Sequence, residues 1–181
     1  DSFRPNFFTL FAPGVLEALA ARGVVVKSGR GEESGLHGLA IAPDGTATGA
    51  ADLATISTDP DPDPAFYQLS VADAVNSGKP TVIAFATPAF CQTALCGPTI
   101  DIVKDALAQR TAVQVGHVER YDIAKAKAGD LVPIDAMTEW NLATEPWVFV
   151  VGADGKVAAS FAGILGADEL VKAVDAVTGK A

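Results

Sequence analysis

Cysteine and histidine are nearly absent from this sequence, with two of each in 181 residues. That scarcity excludes the multi-ligand Cys/His frameworks of zinc modules and the densely cross-linked scaffolds of small secreted proteins. Basic residues are also in short supply: 13 Lys and Arg stand against 22 Asp and Glu, for a formal net charge of −9. Such an acidic surface repels phosphate backbones and anionic headgroups, so nucleic acid is not an expected partner and lipid binding by charge alone is disfavoured. No uninterrupted apolar run reaches the roughly 20 residues needed to cross a bilayer. Apolar residues as a class are not lacking. They make up 49% of the chain, enough for a packed core, and the length suits one domain with an extension. The chain begins at Asp1 without a methionine, the start that a processed chain shows, so a removed leader is compatible with it.

The N-terminal stretch is aromatic, with Phe3, Phe7, Phe8 and Phe11 around Pro5 and Pro13. Gly14 to Arg22 reads as a short helix stopped by Gly23, Val24 to Lys27 as a strand, and Leu39 to Thr48 as a weak hairpin about Asp44-Gly45. Asp59 to Pro64 then alternates aspartate with proline. Proline withholds backbone donors and restrains the residue before it, while the aspartates repel one another. The expectation is a stiff, solvated connector. It divides the chain into 1–58, an N-terminal extension or small α+β unit, 59–69, an Asp-Pro-rich linker, and 70–181, the main domain.

Past the connector the signals sharpen. Ser70 to Ser77 reads as a short helix ended by Gly78, and Pro80 to Ala86 is a continuous apolar, β-branched run, the pattern of a strand buried on both faces. Pro98 suits the first turn of a helix to about Gln109, whose Ile100, Val103, Ala106 and Leu107 recur at helical spacing. Val113 to Val118 is a second strand, Asp122 to Pro133 a looser segment, and Ala136 to Asn141 a short helix. Trp147 to Val151 and Lys156 to Phe161 are strands joined at Asp154-Gly155, and Ala167 to Val177 is a closing amphipathic helix. Strand–helix–strand crossovers imply parallel pairing and the late hairpin an antiparallel edge, so a mixed α/β sheet with helices on both faces is expected.

The two cysteines, Cys91 and Cys96, fall in the loop between the first strand and the helix that follows it. A thiol reacts as its thiolate, and a helix N-terminus lowers the thiol pKa. Cys96, beside Gly97-Pro98, is better placed for that effect, and Cys91 is the more exposed. Four intervening residues close a disulfide if the loop folds back. Three uses fit the pair: a structural staple, thiol–disulfide exchange, or a Cu(I) site of two soft thiolates with a third ligand from His117, Met137 or Glu145. His117 lies in a predicted strand, where packing or hydrogen bonding is the simpler role. His37, between glycines, reads as a solvated loop residue.

This order of elements resembles the thioredoxin fold over Ser70 to Val177. The strand Thr81 to Ala86 leads into cysteines at a helix start, and Trp140-Asn141-Leu142-Ala143-Thr144-Glu145-Pro146 looks like the approach to that fold's cis-proline. Trp147 to Val151 with the Asp154-Gly155 turn matches its terminal hairpin. The segment Phe85-Ala-Thr-Pro-Ala-Phe-Cys91-Gln-Thr-Ala-Leu-Cys96-Gly-Pro98 is similar to a group of bacterial thioredoxin-like proteins, mostly exported or lipid-anchored. Departures are visible. Thioredoxins carry two residues between the cysteines and this chain four. Sco-type copper proteins carry three and a later histidine. Peroxiredoxins place a threonine three residues before the reactive cysteine, a spacing Thr93 and Cys96 meet, with Pro88 one residue too far away.

The resemblance implies a candidate catalytic set of Cys91, Cys96, Glu145 and Pro146. On the thioredoxin pattern Cys91 attacks and Cys96 resolves; on the peroxiredoxin pattern Cys96 is the peroxidatic residue. It implies a cis Glu145–Pro146 peptide, and a Glu145 that faces the cysteines and disfavours a thiolate by like-charge repulsion. Cys91, Cys96 and His117 form an alternative metal set; no cofactor is implied. Trp140 and Trp147 read as core or wall residues. The implied partner is a protein thiol or disulfide, or a larger protein complex in which the chain is a non-catalytic accessory subunit. The implied location is extracytoplasmic, periplasmic or cell-surface, with membrane proximity through the N-terminal aromatic segment.

Overall fold

In the computed structural model, residues 53–69 and 71–179 are described; the Phe3–Phe11 cluster, the expected helix and hairpin before residue 50, and His37 lie outside them. Helix α1 (Val71–Asn76) leads through Gly78, at a positive φ of 75°, into strand β1 (Thr81–Phe85). Every residue of β1 is buried, as its unbroken apolar run requires. Its Val82, Ile83 and Phe85, all at 0% exposure, each contribute about 1.5–3 kcal/mol of burial free energy.

After a loop, helix α2 (Cys96–Leu107) crosses over to β2 (Gln114–Val118), which pairs parallel with β1. Two short helices follow, α3 (Ile123–Lys127) and α4 (Asp135–Glu139). Helix α3 lies in the segment expected to be loose. Its Asp122 N-cap accepts from the Lys125 backbone N–H, but five residues alternating lysine with small or apolar side chains give no apolar stripe to read. Strands β3 (Trp147–Val151) and β4 (Val157–Ala162) form the expected hairpin, and α5 (Ala167–Thr178) closes the domain. The Asp154-Gly155 turn is a three-residue loop: Gly152 N–H donates to Lys156 O, and Gly155, at a φ of 74°, takes the left-handed position.

The sheet order is β2-β1-β3-β4, parallel at its first pair and antiparallel at the other two. This is the mixed sheet with flanking helices of a thioredoxin-like α/β fold. Alternation along β1 assigns the faces. Phe85 packs with Trp140 and Phe149 at centroid distances of 5.0 and 5.9 Å, and Thr81 on the same face reaches the Ala74 carbonyl of α1. Helices α2 and α5 pack against one another. Among the described residues no helix is long and apolar enough to cross a membrane.

Residues 53–69 lie against this domain. Leu53, Phe66 and Tyr67 are part of its core, Pro64–Tyr67 forms a single 3-10 turn capped by the Asp63 side chain, and the middle of the Asp-Pro run is solvated. Asp59, by contrast, is buried and pairs with Lys104 of α2. The Asp-Pro run is thus solvated in its middle and anchored at both ends, one by the Asp59–Lys104 ion pair and one by the Phe66 and Tyr67 rings.

Candidate functional site

The carboxyl ends of the parallel strands β1 and β2 open towards the cysteine loop. Thr87, Pro88 and Phe90 turn the chain out of β1 in one 3-10 turn, and Cys91 follows. Cys91 and Cys96 are joined as a disulfide, with Cα atoms 6.0 Å apart. Their environments differ. Cys96 is the first residue of α2 and has 0% exposure; Cys91 is partly exposed. Helix α2 starts two residues earlier than Pro98 alone indicates, so Pro98 occupies the first turn, where its missing N–H costs nothing. Between the cysteines, Ala94 is held at a φ of 56°, a left-handed conformation that costs a non-glycine residue about 1 kcal/mol.

The Glu145–Pro146 peptide is cis, and a carboxylate oxygen of Glu145 lies within 4.8 Å of both sulfurs. Glu145 is buried, and its Oε2 has no hydrogen-bond partner. Burial pushes its pKa up; Thr87 and the Arg120 guanidinium act in the opposite sense. Two influences on the cysteine pair therefore compete. The N-terminus of α2 favours a thiolate by about 0.3–1 kcal/mol, up to roughly 2 in buried geometry. A charged Glu145 at this range disfavours it by roughly 3 kcal/mol at an effective dielectric of about 20. When Glu145 is ionised, its repulsion of a thiolate outweighs the helix contribution.

His117 does not join this group. Its Nε2 lies 2.8 Å from Ala86 O and its Nδ1 2.7 Å from the Tyr67 hydroxyl. A carbonyl can only accept, so a neutral ring donates from Nε2, and its Nδ1 faces the Tyr67 hydroxyl, which also lies 2.7 Å from Ser57 Oγ. Both nitrogens are spent, and burial lowers the His117 pKa to about 4. The alternative metal set with His117 is thus corrected: the third side chain beside Cys91 and Cys96 is Glu145. Met137, the other candidate ligand, belongs to the hydrophobic core. The peroxiredoxin pattern pairs Thr93 with Cys96. Thr93 Oγ1 lies 3.4 Å from Cys91 Sγ, the cysteine that pattern does not use, and the cysteine it does use is sealed from solvent.

Sequence reasoning missed a second buried acid. Glu119, just past the end of β2, is 4% exposed. It accepts from the Thr58 backbone N–H, the Thr58 hydroxyl at 3.0 Å and the Ser57 hydroxyl at 3.4 Å. Burial first of all raises its pKa to about 7, with the nearby Glu145 adding to the rise. With His117 neutral, the 3.9 Å contact between His117 and Glu119 is not an ion pair. Thr58 also accepts from Ala89 N–H in the cysteine loop at 3.1 Å. Ser57, Thr58 and Asp59 thus tie the end of β2, the cysteine loop and α2 together. The signal for Glu119 was positional: an acid immediately after a buried parallel strand, at the sheet end where such folds place their sites.

Beside the disulfide opens a cleft of about 80 Å³, bordered by Gln92, Thr93, Arg120, Tyr121 and Glu145. Cys91, next in sequence to the cleft-lining Gln92, is the partly exposed sulfur of the pair.

No protein-family model matches the chain, and no curated protein does. Solved structures similar in fold are thioredoxin-like thiol–disulfide proteins at low identity. MTB DsbF is 21% identical, with 55% of this chain and 81% of that one covered at a TM-score of 0.43. StoA from Bacillus subtilis is 18% identical, covering 53% and 82% at 0.41. A thiol:disulfide interchange protein of the thioredoxin family from Chlorobium tepidum TLS is 16% identical, covering 60% and 85% at 0.43.

Proposed function

We propose that the protein is a thiol–disulfide oxidoreductase acting through Cys91 and Cys96, and that it works as a reductant of protein disulfides. The observation that carries this reading is the asymmetry of the pair: one sulfur partly exposed, the other fully buried at the first turn of α2. In the reduced protein the Cys91 thiolate attacks a substrate disulfide, and one substrate sulfur leaves as a thiolate. The Cys96 thiolate then attacks Cys91 Sγ, releases the second substrate thiol and closes the Cys91–Cys96 bond. Two electrons pass to the substrate, and a dithiol donor returns them in the next cycle.

Glu145 sets the direction. A carboxylate that disfavours the thiolates favours the closed disulfide, so electrons leave this pair readily. Pro146 shapes the segment that presents Glu145. An acidic, cysteine-poor chain with a disulfide of this kind suits an oxidising, extracytoplasmic compartment, and a protein disulfide is the substrate class that fits a partly exposed sulfur beside a cleft of only about 80 Å³.

An insulin-reduction assay with a dithiol donor tests the reading. Activity is expected in the parent and its loss in Cys91→Ser, while Cys96→Ser traps a mixed disulfide with substrate. Parent protein that reduces nothing, with its bond intact in the presence of the donor, would leave a structural staple in an accessory subunit as the better account.

A further inference from the structure

We infer that the reduced protein holds a zinc-type divalent cation between Cys91, Cys96 and Glu145, and that oxidation of the pair abolishes the site. Three ligand atoms, two sulfurs and a carboxylate oxygen, already lie within 4.8 Å of one another. Ligand atoms of a tetrahedral zinc site stand about 3.5–4 Å apart, given Zn–S near 2.3 Å and Zn–O near 2.0–2.2 Å. Reduction breaks the bond between the sulfurs and lets them separate to that spacing. Two of the three side chains, Cys96 and Glu145, are buried, and the cleft beside Gln92 and Arg120 leaves a way in.

Glu145 is what makes the arrangement more than a dithiol. Its Oε2 is a buried acceptor with no hydrogen-bond partner, and such an atom costs free energy unless something comes to it. In the reduced, metal-free protein the same carboxylate opposes thiolate formation. A divalent cation inverts that relation: it draws the protons from both thiols, and the third negative group then attracts rather than repels. Two thiolates and a carboxylate offset two positive charges and leave one negative. The mixed S and O donor set favours a borderline ion such as Zn²⁺ over Cu(I), which takes the thiolates and ignores the oxygen. Three protein ligands leave the fourth position open to water.

This inference rests on the proposed function only in requiring that the pair can be reduced. The test uses the full chain, chemically reduced, freed of reductant without air and verified as dithiol by thiol titration. Zn²⁺ is titrated in competition with a chromophoric chelator. One equivalent is expected to bind to the reduced protein, with affinity at least about tenfold lower in Glu145→Gln. The oxidised protein and the reduced Cys91→Ser/Cys96→Ser variant are expected to bind none at that affinity. Co²⁺ in place of Zn²⁺ should give a thiolate-to-metal charge-transfer band in the parent and an altered ligand-field spectrum in Glu145→Gln. Verified dithiol that takes up no Zn²⁺, equal uptake by the oxidised protein, or undiminished affinity and an unchanged cobalt spectrum in Glu145→Gln would each overturn it. Insulin reduction reports separately: activity without zinc binding refutes this inference alone, and zinc binding without activity refutes the oxidoreductase alone.

Discussion

Two buried glutamates sit on either side of Thr87, and the fold treats them differently. Glu119 is met by three donors from Ser57 and Thr58, a strap supplied by the segment before the domain. Glu145 has one oxygen with no hydrogen-bond partner and faces two sulfurs. Both are desolvated, and both have raised pKa values with burial as the first cause. The difference lies in their partners. A satisfied buried acid holds elements together; an unsatisfied one beside a reactive pair is stability given up for chemistry.

Truncation separates the two most sharply. Glu119→Ala leaves the Thr58 N–H and two hydroxyls without their acceptor, and should destabilise the protein by about 2 kcal/mol in chemical denaturation. Glu145→Gln removes no bond from Oε2, and should leave stability within about 1 kcal/mol of the parent. Equal losses at the two sites would erase the distinction.

The pH dependence of stability sharpens the Glu119 side. Glu119, raised to about 7, keeps its proton in the folded state where the unfolded chain has released it, so its contribution falls as pH rises from about 4.5 to 7. His117, lowered to about 4, has the opposite sign: its contribution rises with pH between about 4 and 6.5. Near pH 5.5 the two oppose one another. Relative to the parent, Glu119→Gln should make stability climb more steeply with pH there, and His117→Asn should make it fall, each by up to about 1.4 kcal/mol per pH unit. Parallel pH–stability curves for all three proteins would show that neither group titrates with folding.

The smallest expected effect tests whether the fold also gives up stability in the cysteine loop. Ala94, at a φ of 56°, should welcome glycine, and Ala94→Gly should gain up to about 1 kcal/mol. A loss on thermal unfolding would mean that the left-handed residue is held by contacts of its methyl group.

How much of this was legible in the sequence follows from what each signal depends on. The Pro80 to Ala86 run, the Pro98 helix and the Asp154-Gly155 hairpin were readable because strand burial, helix starts and tight turns are written locally. The placement of Glu145 near the cysteines came with the resemblance around Pro146, since nothing in the residues alone brings positions 91, 96 and 145 together. Glu119 was not legible as a buried group. An acid after a strand reads as a solvated loop residue until Ser57 and Thr58, some sixty residues earlier, are seen to cover it. His117 was read as a structural residue or a metal ligand, and its two short contacts to Tyr67 and Ala86 decide for the first. The anchoring of Asp59 escaped for the same reason as Glu119: its partner, Lys104, lies far along the chain, on a helix beyond the cysteine loop.

The reduction potential of the Cys91–Cys96 pair, measured by equilibration with a dithiol buffer and thiol alkylation in the parent and in Glu145→Gln, tests the central claim most directly. A working pair governed by Glu145 should have a potential less negative than about −300 mV, moved upward by about 30 mV when the carboxylate is replaced. A parent value below about −300 mV that the substitution does not move would make the bond a structural staple and Glu145 a bystander.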